Sequence, residues 1–182
     1  ADGQCGGAGE GAGGVDGDGG PDLSGGRPEH DSGGSGDSGG AMVFSGADGR
    51  LLHSFRGRFD RGRMGAAVDG AGDLDGDGTP DLLVGSPADF SPTARGAVYA
   101  YSGADGSQLL KVNSSLAEGT LGSSVAGLPD LDGDGVPEIL AGDPDADAGG
   151  LNLAGSARLI SGATGIALHE FDGEMAVAMM GS

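Results

Sequence analysis

Gly62–Pro87 reads GRMGAAVDGAGDLDGDGTPDLLVGSP, and the pattern returns without a gap at two other places. At Gly119–Pro144 it is GTLGSSVAGLPDLDGDGVPEILAGDP, and at Gly3–Pro28 it is GQCGGAGEGAGGVDGDGGPDLSGGRP. Behind each window comes a loop of variable sequence. A second shared stretch follows it, GGAMVFSGADGRLLHSF from Gly39, GAVYAYSGADGSQLLKV from Gly96 or GSARLISGATGIALHEF from Gly155. Self-similarity at a fixed period takes precedence over any local reading of structure. The starts at Gly3, Gly62 and Gly119 give a period of about 58 residues. The repeats are taken as 1–59, 60–116 and 117–179, and Met180-Gly181-Ser182, which echoes Met64-Gly65-Ala66, opens a further repeat at 180–182.

Within one period four short strands are expected: Gly65 to Val68, Asp81 to Val84, Ala97 to Tyr101 and Leu109 to Val112. Short runs of β-branched and aromatic residues bounded by Gly, Pro and Asp read as strands. The third and fourth are joined by Ser-Gly-Ala-Asp-Gly in two repeats and Ser-Gly-Ala-Thr-Gly in the last. Asp-Gly supplies the positive φ that a tight hairpin demands. No segment sustains a helical period. A four-stranded unit in tandem is the signature of a β-propeller blade, so the fold class is all-β, three four-stranded antiparallel blades. Propellers typically close with about four to eight blades, so three form a partial ring or part of a larger assembly.

Composition narrows the partners. Of 182 residues 43 are Gly, and Asp plus Glu outnumber Lys plus Arg by 28 to 9, for a net charge of −19. Nucleic-acid binding depends on neutralising phosphates with Lys and Arg, so that class is not expected. An anionic membrane surface is disfavoured on the same ground, and no apolar run reaches the ~18–20 residues that cross a bilayer. With no Trp and 4% aromatics, the core must be small, repeated and built from Leu, Val, Ala and Met. A single cysteine, Cys5, allows neither an internal disulfide framework nor a cysteine-based zinc site.

The acids cluster at fixed spacing, which points to a cation. Asp73, Asp75, Asp77 and Asp81 occupy loop positions 1, 3, 5 and 9, with Gly78 at position 6 and Thr79 at position 7. Calcium takes six to eight hard oxygen ligands, and this spacing offers carboxylates plus the Thr79 carbonyl. The next copy carries Asp130, Asp132, Asp134 and Glu138, with Val136 as the carbonyl donor; the extra methylene of Glu138 is expected to loosen or shift that site. The first copy keeps Asp16, Asp18 and Asp22, with Gly20 as carbonyl donor, but Gly14 replaces the position-1 Asp and makes it the weakest. An EF-hand is excluded, because its position 12 requires a bidentate Glu and these loops have Val84 and Ala141 there.

These features resemble the FG-GAP repeat family, the blades of the integrin alpha-subunit propeller and of many bacterial surface and secreted proteins. The match rests on an apolar-Gly start (Cys5-Gly6, Met64-Gly65, Leu121-Gly122), the DxDGDGxxD loop, the LLVGSP strand and the GAVYAYSG strand. The starting Phe of the family is absent from every copy, and Ser24-Gly25 stands where Leu83-Val84 lie in the second repeat. The resemblance implies a seven-bladed ring with calcium loops on one rim and a role in adhesion or ligand binding.

Other motifs carry less. Gly36-Asp37-Ser38-Gly39-Gly40 spells a serine-protease nucleophile loop, yet only a Gly-rich repeat precedes it where a His and an Asp would be needed. Gly9 to Gly14 fits GxGxxG, but no helix follows and an acidic loop does. Cys5 stands at the position of Met64 and Leu121 and reads as a small buried hydrophobe. His53 and His169 are read as a solvated face of the fourth strand, at the point where the middle repeat has Lys111, and His30 lies among acids in a loop. Asn113-Ser114-Ser115 is a glycosylation sequon.

The expected protein is not an enzyme. It is a calcium-binding module of a secreted or cell-surface protein, acting through protein or glycan contacts made by loops such as Ala88 to Arg95 and Asp145 to Ala154. Two alternatives stand beside it. One is a structural subunit of an extracellular filament or coat that binds copies of itself by strand addition. The other is the non-catalytic region of a secreted hydrolase or lyase.

Overall fold

The computed structural model describes residues 13–31, 36–91, 94–115, 119–147, 150–151 and 153–174. Its strands form three antiparallel sheets in chain order. The first holds β1 (Leu23–Gly26), β2 (Gly40–Phe44) and β3 (Leu51–Arg56) in the order β1-β2-β3. The second holds β4 (Val68–Gly72), β5 (Asp81–Ser91), β6 (Ala94–Tyr101) and β7 (Gln108–Asn113) in the order β4-β5-β6-β7. The third holds β8 (Ser124–Leu128), β9 (Glu138–Asp143), β10 (Ser156–Ser161) and β11 (Ala167–Asp172), again as a meander. These are the expected blades. The expected opening strand of the first blade, with Cys5, and the segment 180–182 lie outside the described residues.

Side chains alternate across each sheet, so every strand feeds two interfaces. From β5, Leu82 and Val84 turn toward the first blade, while Leu83 turns toward the third. From β6, Tyr99 joins the first side, and Val98 and Ala100 join the second. Blade 1 answers with Ala41 and Val43, and blade 3 with Leu121, Ile139, Ala141 and Ile160. The core is thus two thin apolar layers between blades, as an aromatic-poor composition requires.

One expected strand is displaced. Gly65 to Val68 was assigned from its small residues, but β4 begins at Val68. Met64-Gly65 makes the joint between blades instead. Met64 bridges Gly39 in parallel, its carbonyl accepts the Gly40 N–H at 2.8 Å, and the Gly65 N–H donates to the Gly85 carbonyl at 2.8 Å. Leu121-Gly122 repeats the joint, with Leu121 bridging Gly96 and the Gly122 N–H donating to the Gly142 carbonyl at 3.0 Å. Gly122 has φ +91°, and a Cβ there would stand 2.4 Å from the Ala97 carbonyl oxygen. Backbone passes against backbone at this seam, which explains why an apolar-Gly pair recurs there.

Polar groups close the seam around blade 3. Buried Asp143, the last residue of β9, accepts the Thr120 N–H and the Ser114 hydroxyl, the latter at 2.9 Å. Burial raises its carboxyl above the ordinary value, and those two hydrogen bonds offset only part of that shift. Arg158, also buried, donates from Nε to Glu170 at 2.8 Å.

Leu74 and Leu131 hold matching places in successive blades, yet Leu74 is 7% exposed and Leu131 57%. Leu74 packs into the layer between blades 2 and 3, and nothing among the described residues covers Leu131. Leu74→Ala is therefore expected to cost about 2–5 kcal/mol, and Leu131→Ala less than about 0.5 kcal/mol, read by chemical denaturation. A second expectation concerns pH. A carboxyl raised in the folded state favours folding at low pH and loses that contribution as pH rises from its unfolded value. Asp143→Asn keeps an acceptor for Thr120 without the charge. Its stability relative to the parent chain should rise between pH 4 and pH 7, and a flat difference would show that Asp143 is not strained by its charge.

Candidate metal centre

The three acidic loops turn by the same device. Successive DxDxDG residues place glycine at positions 4 and 6, and both adopt positive φ: Gly76 and Gly78 at +78° and +89°, Gly133 and Gly135 at +85° and +91°. No atom lies within 4 Å of where their Cβ atoms would be, so conformation rather than space selects glycine. The curl points backbone N–H groups at the acids. Asp73 accepts from Gly76 at 2.7 Å and from Gly78 at 2.9 Å, and Asp77 accepts from Thr79 at 2.7 Å. Asp130 accepts from Gly133 at 2.7 Å and from Gly135 at 3.0 Å, and Asp134 accepts from Val136 at 2.8 Å.

Carboxylate oxygens converge in two of the loops. Asp130, Asp132, Asp134 and Glu138 each place a ligand atom within 4.8 Å of the others, and so do Asp73, Asp75 and Asp77. Like charges this close repel, and a divalent cation relieves that repulsion. Both clusters can therefore coordinate a divalent cation. The fit is best in the second of them. Glu138 is fully buried, its Oε2 accepts the Leu131 N–H, and its Oε1 has no hydrogen-bond partner. A buried carboxylate oxygen without a donor is costly unless an ion meets it.

Asp81 behaves differently from Glu138. Its Oδ2 accepts the Leu74 N–H at 2.7 Å and its Oδ1 accepts the Gly103 N–H at 3.0 Å. It ties the loop to the β6–β7 hairpin, and burial raises its carboxyl above the ordinary value against the pull of those two amides. Asp22 makes the same two backbone ties in blade 1, accepting from Val15 at 2.7 Å and Gly46 at 3.0 Å. Asp16 and Asp18 each accept a local amide, Asp18 that of Gly20 at 2.7 Å, and among the described residues they form no cluster of the kind found in the other loops. The Thr79, Val136 and Gly20 amides point inward at their acids, while their carbonyls remain candidate ligands.

Blade 1 also has a feature its sequence alone did not reveal. Arg50, at the tip of the β2–β3 hairpin, reaches Asp16 Oδ2 at 3.4 Å. The matching residues are Ser107 and Ile166, so this guanidinium faces the one loop that lacks its position-1 acid. A second feature is a buried cluster beside β6. The Tyr99 hydroxyl donates to Asp89, Lys111 Nζ lies 2.9 Å from Asp89 Oδ2, and that ammonium sits over the Phe59 and Tyr99 rings at 5.3 and 5.1 Å. Burial, reinforced by Asp89, raises the Tyr99 phenol well above the usual range and that of Tyr101 to about 12. Asp89 lies in β5, where the stretch Ala88 to Arg95, expected as a loop, instead extends β5 and β6, and it has no counterpart in other repeats, so no periodic signal marked it.

Two sequence readings are corrected by the register. His53 pairs with Val43 and His169 with Leu159, which are the places where Leu110, not Lys111, pairs with Ala100. Nor is His53 on a solvated face. It is half-buried between blades, its Nε2 lies 2.6 Å from the Gly103 carbonyl oxygen, and its ring stacks on Phe55. Ser38 is buried, with its hydroxyl 3.5 Å from the His30 carbonyl oxygen. Asn113 is exposed at the end of β7.

Residues 73–141 match the model of the FG-GAP-like repeat, a span that includes both clustered loops. The chain is 36% identical over 106 residues to integrin alpha-PS2 of Drosophila melanogaster, covering 52% of this chain and 7% of that protein. It is 38% identical over 95 residues to integrin alpha-5 of Xenopus laevis, covering 47% and 9%. Over 89 residues it is 38% identical to integrin alpha pat-2 of Caenorhabditis elegans, covering 44% and 7%. The chain thus spans less than a tenth of the length of these relatives, and about half of its own length is similar to integrin alpha chains, with residues 73–141 similar to the FG-GAP-like repeat.

Proposed function

We propose that this chain is a calcium-binding propeller module of a secreted or cell-surface protein. It acts through protein or glycan contacts and has no catalytic role. Its units are 1–59, 60–116 and 117–179. The ligands are Asp73, Asp75, Asp77, Asp81 and the Thr79 carbonyl in one loop, and Asp130, Asp132, Asp134, Glu138 and the Val136 carbonyl in the next. The loop with Asp16, Asp18, Gly20 and Asp22 is the weakest. The observation that carries the reading is the convergence of four acids at 130–138, one of them the buried Glu138 with an unpartnered oxygen. All-oxygen donors at short spacing suit calcium better than softer metals. Similarity to integrin alpha chains supports the surface location and the contact role.

A self-assembling subunit remains the second reading. It is favoured by the outward face of blade 3, where Leu131 and Phe171 are exposed at 57% and 50%. No helix of the described residues is long and apolar enough to cross a membrane.

Calcium is expected to raise the thermal midpoint and chelator to lower it. At ten to a hundred times Kd, each occupied site adds about 1.4–2.7 kcal/mol. Coincident midpoints in calcium and in chelator would remove the reading. Sedimentation velocity at rising concentration tests the second: a single concentration-independent species excludes self-assembly.

A further inference from the structure

We propose that the two clustered loops are unequal, and that the loop at 130–138 is the tighter cation site because Glu138 already stands with its three partner acids, whereas Asp81 is held away from its own by two backbone amides. This rests on the calcium reading above and goes beyond it by ranking the sites.

The residue at loop position 9 does different work in different blades. In blades 1 and 2 it is an Asp with both oxygens engaged by backbone amides, one in its own loop and one at the hairpin glycine. Asp81 accordingly stands outside the group formed by Asp73, Asp75 and Asp77. Glu138 keeps only the first of these bonds. Its Oε2 accepts from Leu131, the match of Leu74, but Oε1 accepts from no group, including the hairpin amide of Gly162, although the residue is fully buried.

Two consequences follow. Without a cation the loop at 130–138 already presents four converging carboxylates against three, and Asp81 joins its three as a ligand only by loosening its bonds to Leu74 and Gly103; calcium affinity in such loops rises with ligand charge and site rigidity. In addition, its cation-free state holds a buried carboxylate oxygen with no donor, a cost that an ion removes and that Asp81 does not carry. Both effects act in the same direction. They reverse the expectation, drawn from side-chain length alone, that Glu138 loosens the site.

The test isolates each loop in the full chain. Asp75→Asn with Asp77→Asn leaves the loop at 130–138, and Asp132→Asn with Asp134→Asn leaves the loop at 73–81. Calcium is titrated into each by calorimetry, with far-UV circular dichroism to verify the fold. The first protein should bind at least about ten-fold more tightly than the second. Adding Glu138→Gln to the first should weaken binding at least about ten-fold. Glu138→Asp, which restores the blade 2 arrangement, should bring its affinity to that of the loop at 73–81, and it carries the test if the Gln variant does not fold. Equal affinities, the reverse order, or a Glu138→Gln variant that binds as before would overturn the ranking while leaving calcium binding intact. Absence of binding in the unmodified chain would instead remove the calcium reading, and the ranking with it.

Discussion

A buried acid at the foot of each blade's second strand holds its acidic loop against its own sheet, and the rest of the architecture follows from that attachment. Asp22 and Asp81 each bridge an amide at loop position 2 and the amide of the hairpin glycine, Gly46 or Gly103. The hairpin glycine can approach because it has no side chain: a Cβ on Gly46 or Gly103 would stand 1.9 or 2.0 Å from the carbonyl oxygen of Pro21 or Pro80. Loop, second strand and third-to-fourth-strand hairpin therefore form one unit through a charge that burial alone would disfavour. Charge-assisted bonds to backbone amides offset part of that burial. Glu138 breaks the pattern by one methylene, and the hairpin bond is what it gives up.

The seams between blades obey a related constraint. Two thin apolar layers built mostly of Ala, Val, Leu and Ile, with Met64 and Tyr99 in the first, are the core, and they are effective only if sheets lie close. Backbone therefore meets backbone at Gly65 and Gly122, and side chains are excluded from both. Glycine at these seams is the consequence of stacking sheets this closely. The same economy leaves little apolar surface to stabilise each blade, which gives weight to cations bound at the loops.

Charge is distributed unevenly over this frame. The loops at 73–81 and 130–138 concentrate acids with no basic partner among the described residues, whereas Asp16 has Arg50 at 3.4 Å. That contact is exposed and contributes little by itself. Its significance is positional, since a guanidinium stands at the one loop whose acid complement is reduced. The buried Asp89–Tyr99–Lys111 group shows the other way this chain accommodates an interior carboxylate, by a hydroxyl and an ammonium held over aromatic rings.

Spacing alone determined most of this molecule. A repeat of about 58 residues with alternating residues and Asp-Gly turns identifies blades, their number and the acidic loops, because strand alternation and positive-φ turns are local properties of the chain. What only the tertiary structure decided is which groups meet. Met64-Gly65 looks like a strand start and is an interblade joint. His53 counts as a solvated strand residue until the neighbouring blade covers it. Asp81 and Glu138 are equivalent in any alignment, yet one ends on two amides and the other faces a cluster of acids with an oxygen to spare. Those outcomes depend on backbone amides and carbonyls brought from other strands and blades, and such groups, identical in every residue, leave no mark in a pattern of side chains.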